Sequence, residues 1–187
     1  MTNNIFQLIK NPLWRIENLY KIIDKNANLI KFNPNPVQRL INDSTAKRKL
    51  ILKARQFGVT TNEMIKLLDL AVWGKNLNIC ILAHDQDTIK KIFKIIRNGY
   101  DSMPAQLKPE LDKGGGSAYE LRFPKRKNTI FVALQVRGGT NHYLHISEGA
   151  FIPIDRLKAT LETVPLDRKS TRLNSSHSSV SRMPSSA

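Results

Sequence analysis

Two short stretches hold the residues best suited to chemistry. KARQFGVTT, residues 53–61, closes an apolar run and turns through Gly58 and the hydroxyls of Thr60 and Thr61 into a helical pattern. YLHISEGAF, residues 143–151, is an apolar run that ends on the carboxylate of Glu148. The first pattern suits a phosphate-binding loop, in which backbone N–H groups and a helix N-terminus cradle anionic oxygens and a hydroxyl holds Mg²⁺. The usual spelling is G-x-x-x-x-G-K-[ST]; here Lys53 stands at the first Gly and Val59 at the Lys. Phosphoryl transfer still needs a cation near the phosphates, and Lys53 and Arg55 are the available donors. Taken alone, the stretch also fits an ordinary strand, turn and helix with surface cations.

Glu148 would stand at the carboxyl end of a buried strand, where open α/β sheets bind their ligands. It could there orient or deprotonate a water. Ser147 places a neutral oxygen where an Asp commonly completes the Mg²⁺ shell, which predicts weaker metal affinity. A solvated strand end is the alternative for Glu148.

Together these residues resemble the large subunit of the tailed-phage terminase, the ATP-driven DNA-packaging motor. KARQFGVTT looks like its deviant Walker A motif, with the lysine moved to the start of the loop. RGGTNHYLHISEGAF looks like its Walker B region, and PNPVQRLI, with Gln38, is similar to its adenine-reading glutamine motif. The resemblance spans roughly residues 33–165. It implies an α/β fold, a P-loop NTPase core with a mainly parallel sheet plus an appended β-hairpin. It also implies an ATP hydrolase whose cofactors are ATP and Mg. ATP would be bound by Gln38, Lys53, Arg55, Gln56, Gly58, Val59, Thr60 and Thr61. Thr60 and Ser147 would hold the metal, and Glu148 would act on the water with Lys53 and Arg55 neutralising the phosphates. Implied partners are double-stranded DNA, a portal protein and a small terminase subunit, with a homo-oligomer in the full-length protein and assembly in the host-cell cytoplasm. In that family a coupling motif and a nuclease domain lie beyond the matching part, so the chain is expected to be an incomplete fragment of the ATP hydrolase, without the nuclease domain. Two other readings share these features. One is a helicase-type ATPase; the other is a non-catalytic basic DNA-binding module that keeps the P-loop shape.

The elements that would position these groups follow from periodicity. Ile16, Leu19, Tyr20 and Ile23 predict a helix over residues 12–25, broken by Asn33-Pro34-Asn35-Pro36. A short helix at 37–42, a strand at 49–54 and a helix at 61–72 frame the phosphate loop. A strand at 78–83 and a helix at 85–100 follow, with Ile89, Ile92, Phe93 and Ile96 on one stripe. Strands alternating with helices imply a parallel sheet with right-handed crossovers. Alternation at Tyr119, Leu121, Phe123 and again at Ile130, Val132, Leu134 predicts a hairpin through the basic turn 124–128. Lys125, Arg126 and Lys127 at its tip are a candidate DNA phosphate contact. The triple glycine 114–116 reads as a connector, and Arg137–Thr140 matches a family loop that approaches nucleotide or DNA. His84 and Asp85 follow a strand end and could line the cleft, with Asp85 also suited to a helix N-cap.

Thirty Lys and Arg against fifteen Asp and Glu give a net charge of +15, which favours a polyanionic partner and nucleic acid first. Cys80 is the single cysteine, inside an apolar run, so no disulfide framework is possible. No apolar stretch reaches the roughly 18 to 20 residues of a membrane span, and no signal-peptide core opens the chain. The chain divides into an N-terminal helical segment (1–32), a partial P-loop ATPase domain (33–167) and a tail (168–187). The tail is rich in Ser, carries four cations and no acid, and resembles a translated sequencing-adapter remnant, disordered or artefactual. Without it 26 basic residues still face 15 acidic ones, a net of +11.

Overall fold

A computed structural model describes residues 2–52, 57–112, 117–165 and 171–175. Lys53, Arg55 and Gln56 of the expected site, and the triple glycine, lie outside the described residues. Helices α1 (Thr2–Lys10) and α2 (Pro12–Leu19) come first, the second opened by Asn11, whose side chain accepts from the Leu13 and Trp14 backbone N–H groups. The helix expected to run to Lys25 ends at Leu19. The chain instead forms a hairpin of β1 (Lys21–Ile23) and β2 (Leu29–Lys31), closed by Asp24, whose carboxylate accepts from Asn26 N and Asn28 N. That turn is built from Asp and Asn, the residues that bond their own backbone. Adjoining β-branched isoleucines then favour extended backbone over further helix.

Next follow α3 (Pro36–Asp43), β3 (Arg48–Leu52), α4 (Val59–Trp73), β4 (Asn78–Leu82), α5 (Gln86–Asp101), β5 (Glu120–Phe123), β6 (Asn128–Ala133), β7 (Tyr143–Ser147), α6 (Ile154–Glu162) and β8 (Thr171–Ser175). The sheet order is β3-β8-β7-β4-β6-β5, with all pairings parallel except β5 against β6. The predicted hairpin is β5–β6, and β6 joins the sheet through parallel pairing with β4. β4 and β7 read as nearly unbroken apolar runs because both faces of a parallel sheet are covered. One face carries α4 and α5 over Ile79, Ile81 and Ile130; the other carries α6, with Leu157 near Cys80, Leu82, Leu144 and Ile146. Met64, Ile65 and Leu68 of α4 are fully buried, each contributing about 1.5–3 kcal/mol. Burial pushes the Cys80 thiol up to about 12, which leaves it an inert small hydrophobe.

Thr171–Ser175, inside the tail expected to stand outside the fold, takes the slot between β3 and β7. Open, that slot would leave two facing rows of backbone N–H and C=O groups without ladder partners, so even a polar segment gains by filling it. Its composition hid it, because a strand flanked on both sides ordinarily reads as an apolar run.

A buried ion pair ties the N-terminal segment to α4. Arg15 Nε and Nη2 donate to the two Asp69 oxygens at 2.9 and 2.6 Å, and Tyr20 donates to the same carboxylate at 2.9 Å. Arg15 also lies over the Trp73 ring and donates to Ile9 O and Lys10 O. Burial pushes the Asp69 carboxyl above its usual range, although Arg15 and Tyr20 pull the other way.

Candidate nucleotide site

Because β3 and β7 run parallel on either side of β8, their carboxyl ends open on the same edge, separated by two strand spacings, roughly 10 Å. Beyond β3 stands Gly58, in the left-handed region at φ 64, ψ 16, as the N-cap of α4. Its carbonyl accepts from Asn62 N, and Val59 behind it is buried, so the helix start is fixed from inside. Thr60 and Thr61 lie in the first turn, which carries no acidic side chain to compete with an anion. A Cβ on Gly58 would come within 2.7 Å of Gln38 Nε2 and would also be strained by the positive φ, which is why a glycine is needed here.

Gln38 does more for the loop than expected. Its Nε2 donates to Phe57 O and Gly58 O at 3.2 and 2.9 Å, and its Oε1 accepts from Asn35 N in a capping box. Asn35 Nδ2 also donates to Phe57 O, a role that sequence reasoning missed. With both amide hydrogens engaged and 5% of the residue exposed, Gln38 first holds the loop's exit backbone. Only a lone pair on Oε1 remains for an adenine amino group.

β7 delivers Ser147, buried, and then Glu148, which adopts φ 55, ψ 48, a left-handed conformation uncommon for a residue with a Cβ. The turn at Gly149–Phe151 follows, and Phe151 N donates back to Glu148 O. The kink lifts the carboxylate out of the strand line, and its side chain is 39% exposed. Neighbouring β4 ends beside β7 and carries His84 and Asp85 onto the same edge. Asp85 caps α5, accepting from Thr88 N at 2.6 Å, and that backbone hydrogen bond, with a further one from Thr88, holds its carboxyl below the usual range.

Among the described residues no group of three or more His, Cys, Asp or Glu could hold a metal ion. Apart from Asp85, which Thr88 N and His84 engage, the oxygens on this edge are hydroxyls and the Glu148 carboxylate, a set suited to a hard cation that keeps waters and takes phosphate oxygens as further ligands.

No family model and no curated protein matches the sequence. Among solved structures, the large terminase ATPase domain of Thermus phage P74-26 superposes with a TM-score of 0.63 at 19% identity, over 77% of this chain and 65% of that one. The chain has the fold of a phage large-terminase ATPase domain. A mutant of the same domain gives a TM-score of 0.60 at 20% identity. The HK97 bacteriophage large terminase gives 0.69 at 13% identity, over 90% of this chain and 37% of that one. The chain therefore spans about two thirds or less of the terminase structures it matches.

Other expected positions lie elsewhere. The basic turn sits at the amino end of the parallel strands, since it leads into β6, opposite the Gly58 and Glu148 edge. There Arg126 donates to Trp73 O and lies over its ring, while Lys125 pairs with Glu110 at 2.8 Å. Arg137, Gly138 and Gly139 border a shallow cavity of about 370 Å³ against Ala159, Glu162 and Thr163, at the C-terminal half of α6. No helix of the described residues is long and apolar enough to cross a membrane.

Proposed function

We propose that the chain is the nucleotide-handling part of a phage DNA-packaging motor, an ATP hydrolase of the terminase large-subunit type. The observation that carries this reading is the shared edge. The Gly58 to Thr61 turn and the Ser147–Glu148 pair leave two parallel strands one slot apart, on a fold common to terminase ATPase domains. Backbone N–H groups at the start of α4 bind phosphate oxygens, with Lys53 and Arg55 as the cations and Gln56 and Val59 in the loop. Gln38 holds the loop from below and offers its remaining lone pair to the base. Thr60 and Ser147 are the oxygens that fit Mg²⁺, which when bound neutralises charge on the phosphates. Glu148 orients and deprotonates the attacking water.

Double-stranded DNA is the proposed polyanion for the net charge of +15. Of the basic turn, Arg126 is committed to Trp73, while the Lys125 pair with Glu110 is solvent-exposed and weak enough for a phosphate to displace, so Lys125 and Lys127 are the side chains proposed to meet phosphate. The test is a pair of titrations, with Mg-ATP and with a DNA duplex at several salt concentrations. Both ligands bind, and replacing Lys125 and Lys127 by alanine lowers the salt slope for DNA by about one per cation. DNA binding without nucleotide binding would transfer the protein to the non-catalytic module reading.

A further inference from the structure

His84 sits between two carboxylates. Its Nε2 is 2.8 Å from Asp85 Oδ2 and its Nδ1 is 3.5 Å from Glu148 Oε2. Phe151 packs on the ring at 5.5 Å between centroids, so the imidazole is pinned from three sides. An ionised carboxylate only accepts, which makes Nε2 the donor toward Asp85 and, in a neutral ring, makes Nδ1 a lone pair. That lone pair is shut off from solvent and has no hydrogen-bond partner among the described residues. Two acceptors thus face each other across 3.5 Å, too long for a hydrogen bond and closed by a small rotation once either gains a proton. The chain of contacts is continuous, because Asp85 Oδ1 is fixed by the first turn of α5.

We propose that His84 is a positioning residue for Glu148, its Nδ1 accepting a hydrogen bond from the Glu148 carboxyl after that group has taken a proton from water. This rests on the proposed hydrolysis. There an O–H bond of water breaks, its proton goes to Glu148, the water oxygen bonds to the γ-phosphorus, and the P–O bond to ADP breaks with its electron pair leaving on ADP. The Glu148 carboxyl so formed meets the waiting Nδ1, and Asp85 keeps the ring in the tautomer that leaves Nδ1 free. A buried acceptor with no other partner gives that carboxyl one defined orientation.

The test separates position from binding. His84→Ala lowers kcat for ATP about 3- to 10-fold, the size of one ordinary hydrogen bond, while Mg-ATP affinity stays within about twofold. His84→Asn, which keeps a polar atom near the Nδ1 position, recovers most of the rate; His84→Gln, which reaches only toward Asp85, does not. In the Glu148→Gln background, His84→Ala adds no further loss. Equal kcat in the parent and His84→Ala, or an additive loss in the double variant, overturns the inference. A parent chain that does not bind Mg-ATP overturns the nucleotide reading instead; one that binds without turning it over behaves as a chain short of the coupling motif. In that event the imidazole proton signals of His84 at a single pH decide the contact: they move on Glu148→Gln if the pair is real, and unmoved signals overturn it.

Discussion

Glu148→Gln is expected to bind Mg-ATP like the parent while hydrolysis falls by about 10² to 10⁴, the usual contribution of a positioned general base. The substitution keeps the size of the side chain and its place after β7. It removes the one carboxylate that β7 itself lifts onto the edge beside the phosphate loop. Single-turnover hydrolysis with excess protein, alongside nucleotide affinity, isolates chemistry from binding. A parallel loss of affinity and rate would show Glu148 to be part of the binding surface and not the base.

Arg15→Leu is expected to cost about 3–5 kcal/mol of stability at neutral pH, because it strands the Asp69 carboxylate in the interior. The pH dependence has a definite sign. Burial raises the folded-state affinity of Asp69 for its proton above the unfolded value. The stability linked to that proton is therefore full below the ordinary carboxyl range and is lost as pH rises through the raised folded value. Without the Arg15 guanidinium the shift grows, so the variant recovers part of its deficit as the pH is lowered toward 5. Urea unfolding of parent and variant at pH 7 and pH 5 measures this. A deficit that is constant or larger at pH 5 would mean that the loss comes from packing over Trp73 and the α1 carbonyls, and not from the stranded charge.

Those two residues show where sequence was and was not sufficient. The position of Glu148 was legible because an apolar run that ends on a carboxylate fits the carboxyl end of a buried strand, and the strand did stop at Ser147. The start of α4 was legible because Gly58 interrupts one period and opens another. The β1–β2 hairpin was not, since Ile16, Leu19, Tyr20 and Ile23 fit a helical stripe equally well, and a three-residue strand is too short to show a period of two. Gln38 was read from the likeness of PNPVQRLI to a glutamine motif, whereas its bonds to Phe57 and Gly58 exist only after α3 docks under the loop. His84 and Glu148 meet only through the parallel pairing of β4 with β7, a register that no local pattern encodes. β8 defied its composition because a gap in the ladder recruits backbone, to which side-chain polarity is a secondary matter.

The central claim is that phosphate is held at the start of α4, and Lys53→Ala reaches it most directly. Calorimetry of Mg-ATP binding to the parent and to this variant should show a loss of about 1.5–3 kcal/mol, the worth of a hydrogen bond to a charged group. Equal affinity in the two proteins would contradict the phosphate-loop assignment, and the DNA-binding module would become the leading account of the chain.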